Sequence, residues 1–319
     1  MVFLSRAALA SVAIASLAGA ANAAPSNFRA GAAPMQALTP PRQPVGAANS
    51  SRVVYVANID GQPGLGQILV YSASMQNPQL LRTITNGAGR PFGLWVDAKN
   101  ILYVANYPNK LQGSVTEFQP GASSPFFEIT SFMGYPESVA VDAKGDVFVN
   151  ESYEDEGIVQ EFAPGSNTAE RTIDTGVGGY AFGNGGMAFD GHGNLIVAEQ
   201  ADLKLQIVKI ARGSFKVSSL GLDLNGNDIT GPGMGIDKAG NIYVGSGATS
   251  AVYVFAPGQT EPSRTISNVA GYGFMNVTPQ GAVYEASGES SVAEIAPGAN
   301  APTHILGCFC SAQGAAASR

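Results

Sequence analysis

The stretch Gly93-Leu94-Trp95-Val96-Asp97, continued by the turn Ala98-Lys99-Asn100 and by Ile101-Leu102-Tyr103-Val104-Ala105-Asn106, decides the fold of this chain. Apolar and β-branched residues on both sides of a short turn with Asp and Asn are typical of a β-hairpin, because these turn residues tolerate left-handed backbone angles. A third strand, Val115-Thr116-Glu117-Phe118, follows and leads into Pro120-Gly121. The stretch therefore predicts consecutive antiparallel strands joined by tight turns.

The same pattern returns along the chain at intervals of about 47 residues. Further copies of the first strand begin at Ser138, Gly186, Met234 and Phe274, and second strands begin near residues 53, 101, 147, 195, 242 and 283. Outer strands recur as Arg-Thr-Ile at residues 82–84, 171–173 and 264–266. Repeats of four short antiparallel strands predict an all-β fold, a six-bladed β-propeller of four-stranded blades.

The strand count predicts how the ring closes. Six second strands are visible but only five first strands, so the missing strand must come from a chain end, either residues 45–50 or the tail from Gly307 onward. A strand supplied by a terminus removes an open sheet edge. We expect the tail, residues 308–319, to supply it. A solenoid is the alternative architecture, but it would normally carry distinct capping repeats.

The N-terminal region predicts export. Arg6, the apolar run 7–18 and the small residues of Ala21-Asn22-Ala23 are typical of a signal peptide over residues 1–23, and the run is short for a membrane span. Residues 24–50 are rich in Pro and Ala without periodicity, which indicates a flexible leader. We therefore expect a periplasmic or extracellular protein with no membrane span after cleavage and with its propeller in residues 51–307.

Charge and cysteine content limit the partners. The chain has 17 Lys and Arg against 24 Asp and Glu, a net charge of −7, whereas a nucleic-acid partner requires a basic surface. We therefore expect no nucleic-acid partner. Two cysteines occur, Cys308 and Cys310. Free thiols, a strained local disulfide and a link to another chain are all compatible with this spacing.

The register collects polar side chains at one mouth of the channel, formed by the loops between second and third strands and by the connections between blades. The ligand-binding candidates there are Asn58, Asn106, Glu137, Glu151, Asn184 and Glu199. A ring of such oxygen ligands could hold Ca²⁺ or another divalent cation. The alternative is a set of solvated loop acids.

The strand and turn pattern of Gly93–Asp97, Leu102–Asn106 and Val115–Phe118 resembles the NHL-repeat propellers and, more distantly, the gluconolactonase, luciferin-regenerating and streptogramin-lyase propellers. The resemblance covers roughly residues 51–307. The gluconolactonase likeness implies a divalent metal held by Glu, Asn and Asp side chains. The nearest counterparts here are Glu137, Asn106 and Asn184, while Gly185, Gly233 and Gly273 stand where further polar ligands are expected.

The likeness to streptogramin lyases implies a catalytic histidine, which neither histidine here matches. His192 lies in a hairpin turn on the opposite face, and His304 begins an outer strand. The sequence therefore predicts a non-catalytic exported module that binds a protein, a glycan or a small molecule at one mouth of the channel. A divalent-metal-dependent, lactonase-like hydrolase or lyase is the alternative, and the question of enzymatic activity stays open.

Overall fold

A computed structural model describes residues 52–59, 66–73, 78–107, 113–153, 156–178, 185–201, 204–224, 233–308 and 311–318. These residues form twenty-four strands in six antiparallel sheets of four strands each, which are the blades of a propeller. The predicted fold class is confirmed. The signal peptide and the leader lie outside the described residues.

Strands are numbered in chain order and given from the channel outward. Blade 1 contains β24 (Ala312–Ala317), β1 (Val53–Asn58), β2 (Gln67–Ser72) and β3 (Leu80–Ile84); blade 2 contains β4 (Pro91–Val96), β5 (Leu102–Asn106), β6 (Ser114–Phe118) and β7 (Phe127–Ile129). Blade 3 contains β8 (Tyr135–Val141), β9 (Val147–Tyr153), β10 (Glu156–Phe162) and β11 (Ala169–Gly178).

The second half of the ring repeats this order. Blade 4 contains β12 (Met187–Phe189), β13 (Leu195–Ala201), β14 (Lys204–Ile210) and β15 (Val217–Ser219). Blade 5 contains β16 (Met234–Ile236), β17 (Ile242–Ser246), β18 (Ala251–Phe255) and β19 (Arg264–Ser267); blade 6 contains β20 (Met275–Val277), β21 (Val283–Ala286), β22 (Ser291–Ile295) and β23 (His304–Gly307).

The recurring aspartate at the end of each first strand builds the hairpin turn. Asp97 Oδ1 accepts hydrogen bonds from the amides of Lys99 and Ile101, both at 2.8 Å. Asn100 then takes a left-handed φ of 60°, and Gly145 does so at the matching place in blade 3 with a φ of 97°. The turn chemistry expected from Asp, Asn and Gly is therefore present.

The core lies between the blades. Among the described residues, six clusters of buried apolar side chains each combine residues of two neighbouring blades. Phe118, Phe162 and Phe255 end the third strands of their blades and are at most 1 % exposed. Burying a side chain of this size stabilises the fold by about 1.5–3 kcal/mol. Blade-to-blade packing is thus the main source of cohesion around the ring.

The C-terminal tail closes the ring, as expected. β24 pairs antiparallel with β1, from Val54 opposite Ala317 to Asn58 opposite Ala312. On its other side the Phe274 amide of blade 6 donates a hydrogen bond to the Gln313 carbonyl at 2.9 Å. The alternative closing segment, residues 45–50, lies outside the described residues.

The tail also carries the cysteines. Cys308 is disulfide-bonded, and the sequence holds one other cysteine, Cys310, which lies outside the described residues. A helix with the length and apolarity needed to cross a bilayer does not occur in the described part of the chain.

Candidate functional site

The propeller has two chemically different mouths. The turn mouth is formed by the turns that join first to second strands, at Asp97, Asp142, Asp190, Asp237 and Thr278. The loop mouth lies at the opposite ends of the same strands, where second strands end near Asn58, Asn106, Glu151 and Glu199. The ligand-binding candidates predicted from the sequence were assigned to the loop mouth.

Asn106, a predicted ligand of the loop mouth, holds the connection between blades 1 and 2. Its Oδ1 accepts a hydrogen bond from the Gly89 amide at 3.1 Å, and its Nδ2 donates to the Gly87 carbonyl at 3.1 Å. The Thr116 hydroxyl donates to the same Gly87 carbonyl at 2.7 Å. Asn106 is 4 % exposed. The side chain therefore satisfies buried backbone groups that no strand partner reaches.

Other blades use the strand end in the same way. Glu151 Oε2 accepts the Gly134 amide at 2.8 Å, and Asn58 Oδ1 accepts the Ser311 amide at 2.6 Å. In blade 6 the anchor is Glu285, whose Oε1 accepts the Gly271 amide at 2.9 Å. Glu285 is not among the residues predicted from the sequence, because it stands two residues before Ser287, the aligned strand end. These side chains tie each connection to the blade that follows it.

A buried polar cluster joins blades 3 and 4 at the loop mouth. Glu137 is 5 % exposed and accepts a short hydrogen bond from the Ser152 hydroxyl. Glu199 is 1 % exposed, and neither of its carboxyl oxygens has a hydrogen bond of normal geometry. Asn150 also lacks a donor for its Oδ1, and its Nδ2 lies 3.5 Å from the Gly185 carbonyl. This is the largest concentration of polar atoms without partners among the described residues.

The buried position of Glu199 favours the neutral form of its carboxyl group. Burial raises the pKa of Glu199 to about 8, the charge of Glu137 adds to the increase, and Asn150 and Thr175 lie near enough to offset part of it. Burial also raises the pKa of Glu151 and of Glu285 to about 7. A neutral carboxyl group donates a hydrogen bond as well as accepting one. Protonated Glu199 therefore suits the unpartnered Asn150 Oδ1.

The metal ligands implied by the family resemblance are only partly described. Asn184 lies outside the described residues, Asn106 uses both ends of its amide on the backbone, and Glu137 lies in the cluster with Glu199. In the ranges that the structure describes, no three His, Cys, Asp or Glu side chains are grouped to hold a metal ion. The metal site stays a prediction, and the oxygen-rich place nearest to it is the cluster of Glu137, Asn150 and Glu199.

The glycines of the inner strands have a packing role. A Cβ atom on Gly233 would lie 2.2 Å from the Gly273 carbonyl oxygen, and one on Gly93 would lie 2.6 Å from the Glu137 carbonyl oxygen. Neighbouring inner strands thus approach backbone to backbone near the loop mouth. Gly233 and Gly273, which the sequence presents as missing ligands, allow this contact.

An aromatic surface lies beside the cluster at the loop mouth. Phe92 and Tyr107 lie 5.3 Å apart between ring centroids, Tyr107 and Tyr135 5.4 Å, and Phe92 and Phe274 6.3 Å. The Arg90 guanidinium lies over the Phe92 and Tyr107 rings at 5.3 and 5.2 Å. Tyr135 is 44 % exposed. Blades 2, 3 and 6 supply these residues, so their proximity is a product of the ring.

The turn mouth opens into a cavity of about 1120 Å³ along the channel. The cavity extends inward to Ser138 and Phe274. Trp95, the single tryptophan, lies in its wall and packs against the apolar clusters of three successive blade interfaces. This cavity was not predicted from the sequence. A signal was present, since the positions aligned with Trp95 hold the smaller residues Ala140, Ala188, Gly235 and Asn276.

The two histidines lie where the sequence analysis placed them. His192 lies in the turn of blade 4, with its side chain 90 % exposed, and Nδ1 is 4.0 Å from Asp190. His304 begins β23, and its Nδ1 lies 3.1 Å from Glu294 Oε2. His192 lies at the turn-mouth end of blade 4, opposite the end that holds Glu199, and His304 lies two blades further on, in blade 6.

Comparison with known proteins supports the fold. The chain matches no protein-family model and no curated protein sequence. Among solved structures, a chain of the nidogen/laminin complex is 14 % identical with a TM-score of 0.64, covering 84 % of this chain and 98 % of that chain. A protein of unknown function from Bacteroides caccae is 12 % identical with a TM-score of 0.62, covering 85 % and 100 %.

The hydrazine synthase of Kuenenia stuttgartiensis is similar over a shorter part, with 14 % identity, a TM-score of 0.58 and coverage of 77 % of this chain and 81 % of that chain. At these identities the likeness concerns the fold and not the activity, because unrelated functions share the propeller architecture. By sequence pattern, structure and structural similarity, this chain is a six-bladed β-propeller.

Proposed function

We propose that this chain is an exported, non-catalytic binding module that holds its partner at the loop mouth. The observation that carries the proposal is the aromatic surface of Phe92, Tyr107, Tyr135 and Phe274 with Arg90 beside it. Aromatic rings and arginine are the residues that contribute most to binding at protein interfaces. Aromatic rings with polar tips also stack on the apolar faces of ligands while donating hydrogen bonds.

The surroundings of this surface suit recognition. Burial raises the pKa of Tyr107, and the charge of Glu137 adds to the increase, so the hydroxyl remains a hydrogen-bond donor. The Tyr107 ring is half-buried against Phe92 and Tyr135, which limits the side-chain entropy that binding must remove. A protein or a glycan is the class of partner that such a partly exposed surface fits.

The test compares matched surface variants of residues 24–319. Arg90→Ala with Tyr107→Ala and Tyr135→Ala removes the surface, while Leu81→Ala with Ile305→Ala removes two exposed apolar side chains from outer strands. Both proteins are applied to a glycan array and to cell-envelope proteins for cross-linking, and the dissociation constant of each captured partner is then measured. We expect the affinity of the loop-mouth variant for the partner to fall by at least about ten-fold and that of the outer-strand variant to stay unchanged. Equal losses would contradict the proposal.

A second function, metal-dependent hydrolysis, is favoured by one observation. Glu199 lies near Glu137 and Asn150 without a normal hydrogen bond on either carboxyl oxygen, and an ion would satisfy those oxygens. If Ca²⁺ binds there, it raises the melting temperature and a chelator reverses the rise. Lactone turnover that is lost in Glu137→Gln would establish the hydrolase, whereas an unchanged melting temperature together with no turnover would leave the binding module.

A further inference from the structure

The cavity of the turn mouth is a second candidate site on the channel, and at its inner end it shares Phe274 with the aromatic surface. Its volume of about 1120 Å³ is slightly larger than the roughly 300–1,000 Å³ typical of small-molecule sites. Its inner wall includes the inner-strand residues Trp95, Val139, Met187 and Val277, and the cavity also extends outward at blades 3 and 4, to Glu170, Arg171 and Phe215. A wall of this composition suits an apolar or aromatic body.

Trp95 gives the cavity a defined interior surface. The indole is half-buried and contacts the clusters that contain Val139, Met187 and Met234, on three successive blade interfaces. These contacts hold the indole in place before any ligand binds, so binding does not carry the entropy cost of ordering it. Its exposed face is therefore a preformed stacking surface at the side of the channel that blades 2 and 3 form.

The rim carboxylates differ in their hydrogen bonding from one side of the mouth to the other. Asp190 and Asp237 direct Oδ2 to the side-chain amides of Asn194 and Asn241, both at 2.8 Å. Asp97 and Asp142 use Oδ1 for the turn amides, and within the described residues Oδ2 of each has no hydrogen bond. These two carboxylates flank the side of the mouth that holds Trp95.

The basic side chains at the rim are directed to solvent or paired. The Lys144 side chain is 72 % exposed and lies 3.9 Å from Asp146, and Arg171 is 2.9 Å from Glu161. Arg52, Arg212 and Lys238 are exposed. Carboxylates held at the edge of a concave opening concentrate negative potential there, whereas extended and solvated cations contribute little.

We propose that the turn mouth binds a small molecule with an apolar or aromatic body and a positively charged amine. The body lies in the channel against Trp95, and the ammonium group lies between Asp97 and Asp142. Trp95, Asp97 and Asp142 take no part in the aromatic surface, so amine binding here neither requires nor supports the binding function proposed above.

Trp95 is the only tryptophan, so its fluorescence reports the occupancy of this cavity directly. The probes are 4-phenylbutylamine, 4-phenylbutanol and 4-phenylbutyrate, which share a body and differ in charge, titrated at pH 7.5 and low ionic strength with excitation at about 295 nm, where the phenyl probes do not absorb. We expect a saturable change in Trp95 emission, with the amine binding at least about five-fold more tightly than the carboxylate and the alcohol between them.

Paired variants separate charge from packing. Asp97→Asn with Asp142→Asn keeps the Oδ1 acceptor of each turn but removes both charges. The affinity for the amine should therefore fall to that for the alcohol, while the affinity for the alcohol should not change. Asp190→Asn with Asp237→Asn is the matched control, whose Oδ2 atoms already have partners, and it should weaken amine binding by less than about two-fold. Trp95→Phe should weaken the binding of all three probes, which calorimetry measures because this variant has no tryptophan.

Three results would overturn the proposal. One is the absence of a saturable change with any probe, and another is a carboxylate that binds as tightly as the amine. The third is an equal effect of the two aspartate pairs on amine binding. The loop-mouth variant of Arg90, Tyr107 and Tyr135 serves as a folding control and should bind the amine as the wild-type protein does, which keeps failure here distinct from failure of the proposed function.

Discussion

The turn mouth and the loop mouth are made from opposite ends of the same strands, yet their carboxylates hold different parts of the chain. At the turn mouth each carboxylate caps a local turn within four residues, as Asp142 does with the amides of Lys144, Gly145 and Asp146. At the loop mouth Glu151 and Glu285 anchor connections 17 and 14 residues away. Local caps repeat from blade to blade, whereas distant anchors vary with the connection that they hold.

The two mouths differ in the packing of their inner strands as well as in their chemistry. Near the loop mouth the inner strands approach backbone to backbone, at Gly233 and Gly93. Towards the turn mouth, where the cavity lies, the close neighbour of an inner-strand glycine is a side chain, that of Val277 at Gly235. A ring that is tight at one end and open at the other can keep its blades rigid while leaving room for a ligand. The two mouths should therefore respond differently to the same kind of substitution.

The largest contrast is expected from adding one methyl group at each end. Gly233→Ala places a Cβ atom 2.2 Å from the Gly273 carbonyl oxygen and should cost about 3 kcal/mol of unfolding free energy, since the backbone must move. Gly191→Ala, at the turn mouth, meets nothing within 4 Å and should change stability by less than about 0.5 kcal/mol. Urea unfolding of both variants measures the difference, and similar values would remove the contrast in packing.

A pH series tests the buried carboxyl group of the loop mouth. The pKa of Glu199 in the folded state, about 8, lies above its ordinary value, so the folded state holds this proton more tightly than the unfolded state. The stabilisation is complete below about pH 4.5 and is lost as the pH rises through about 8. Glu199→Gln should match the wild-type protein near pH 5 and exceed its unfolding free energy by roughly 2–4 kcal/mol at pH 9.

The control for the pH series is Glu128→Gln, an exposed residue of the outer strand β7, which should leave the pH dependence unchanged. Glu151 and Glu285 lower the unfolding free energy of both proteins to a similar extent as the pH rises. The difference between the wild-type protein and the variant therefore isolates the contribution of Glu199. A Glu199→Gln protein that is less stable at pH 9 would show that the side chain is charged and paired in the folded state.

The smallest effect is expected from the local caps of the turn mouth. Asp142→Ala removes the acceptor of three turn amides and should lower the unfolding free energy by about 1 kcal/mol. Asp142→Asn keeps the Oδ1 acceptor and should stay within about 0.3 kcal/mol of the wild-type protein. Thermal unfolding followed by circular dichroism distinguishes the two, and an equal loss in both variants would mean that the charge, not the cap, stabilises the turn.

The fold was predictable from the sequence because its determinants are local and repeated. Asp97 and its counterparts specify hairpins, the Arg-Thr-Ile segments mark outer strands, and the strand count requires a closing strand, which β24 provides. Each of these features can be recognised without knowing which blades touch.

The candidate site was less predictable because its meaning depends on distant partners. Asn106 could be a ligand or an anchor, and only its contacts with Gly87 and Gly89 distinguish the two. Gly233 stands where a ligand was expected, but the close approach of Gly273 explains why a glycine is there. Trp95 packs at three blade interfaces, and an alignment of repeats does not show which other blades a side chain contacts.

The pairing of β24 with β1 also has a consequence for biogenesis. The Val53 amide donates to the Ser318 hydroxyl across 265 residues, and contacts of such separation form late because loop closure removes much of the chain entropy. During synthesis β1 therefore has an unpaired inner edge until β24 has emerged, and an unpaired edge is a template for another chain. The period in which this protein is most prone to aggregate is thus the interval between the first blade and the last strand.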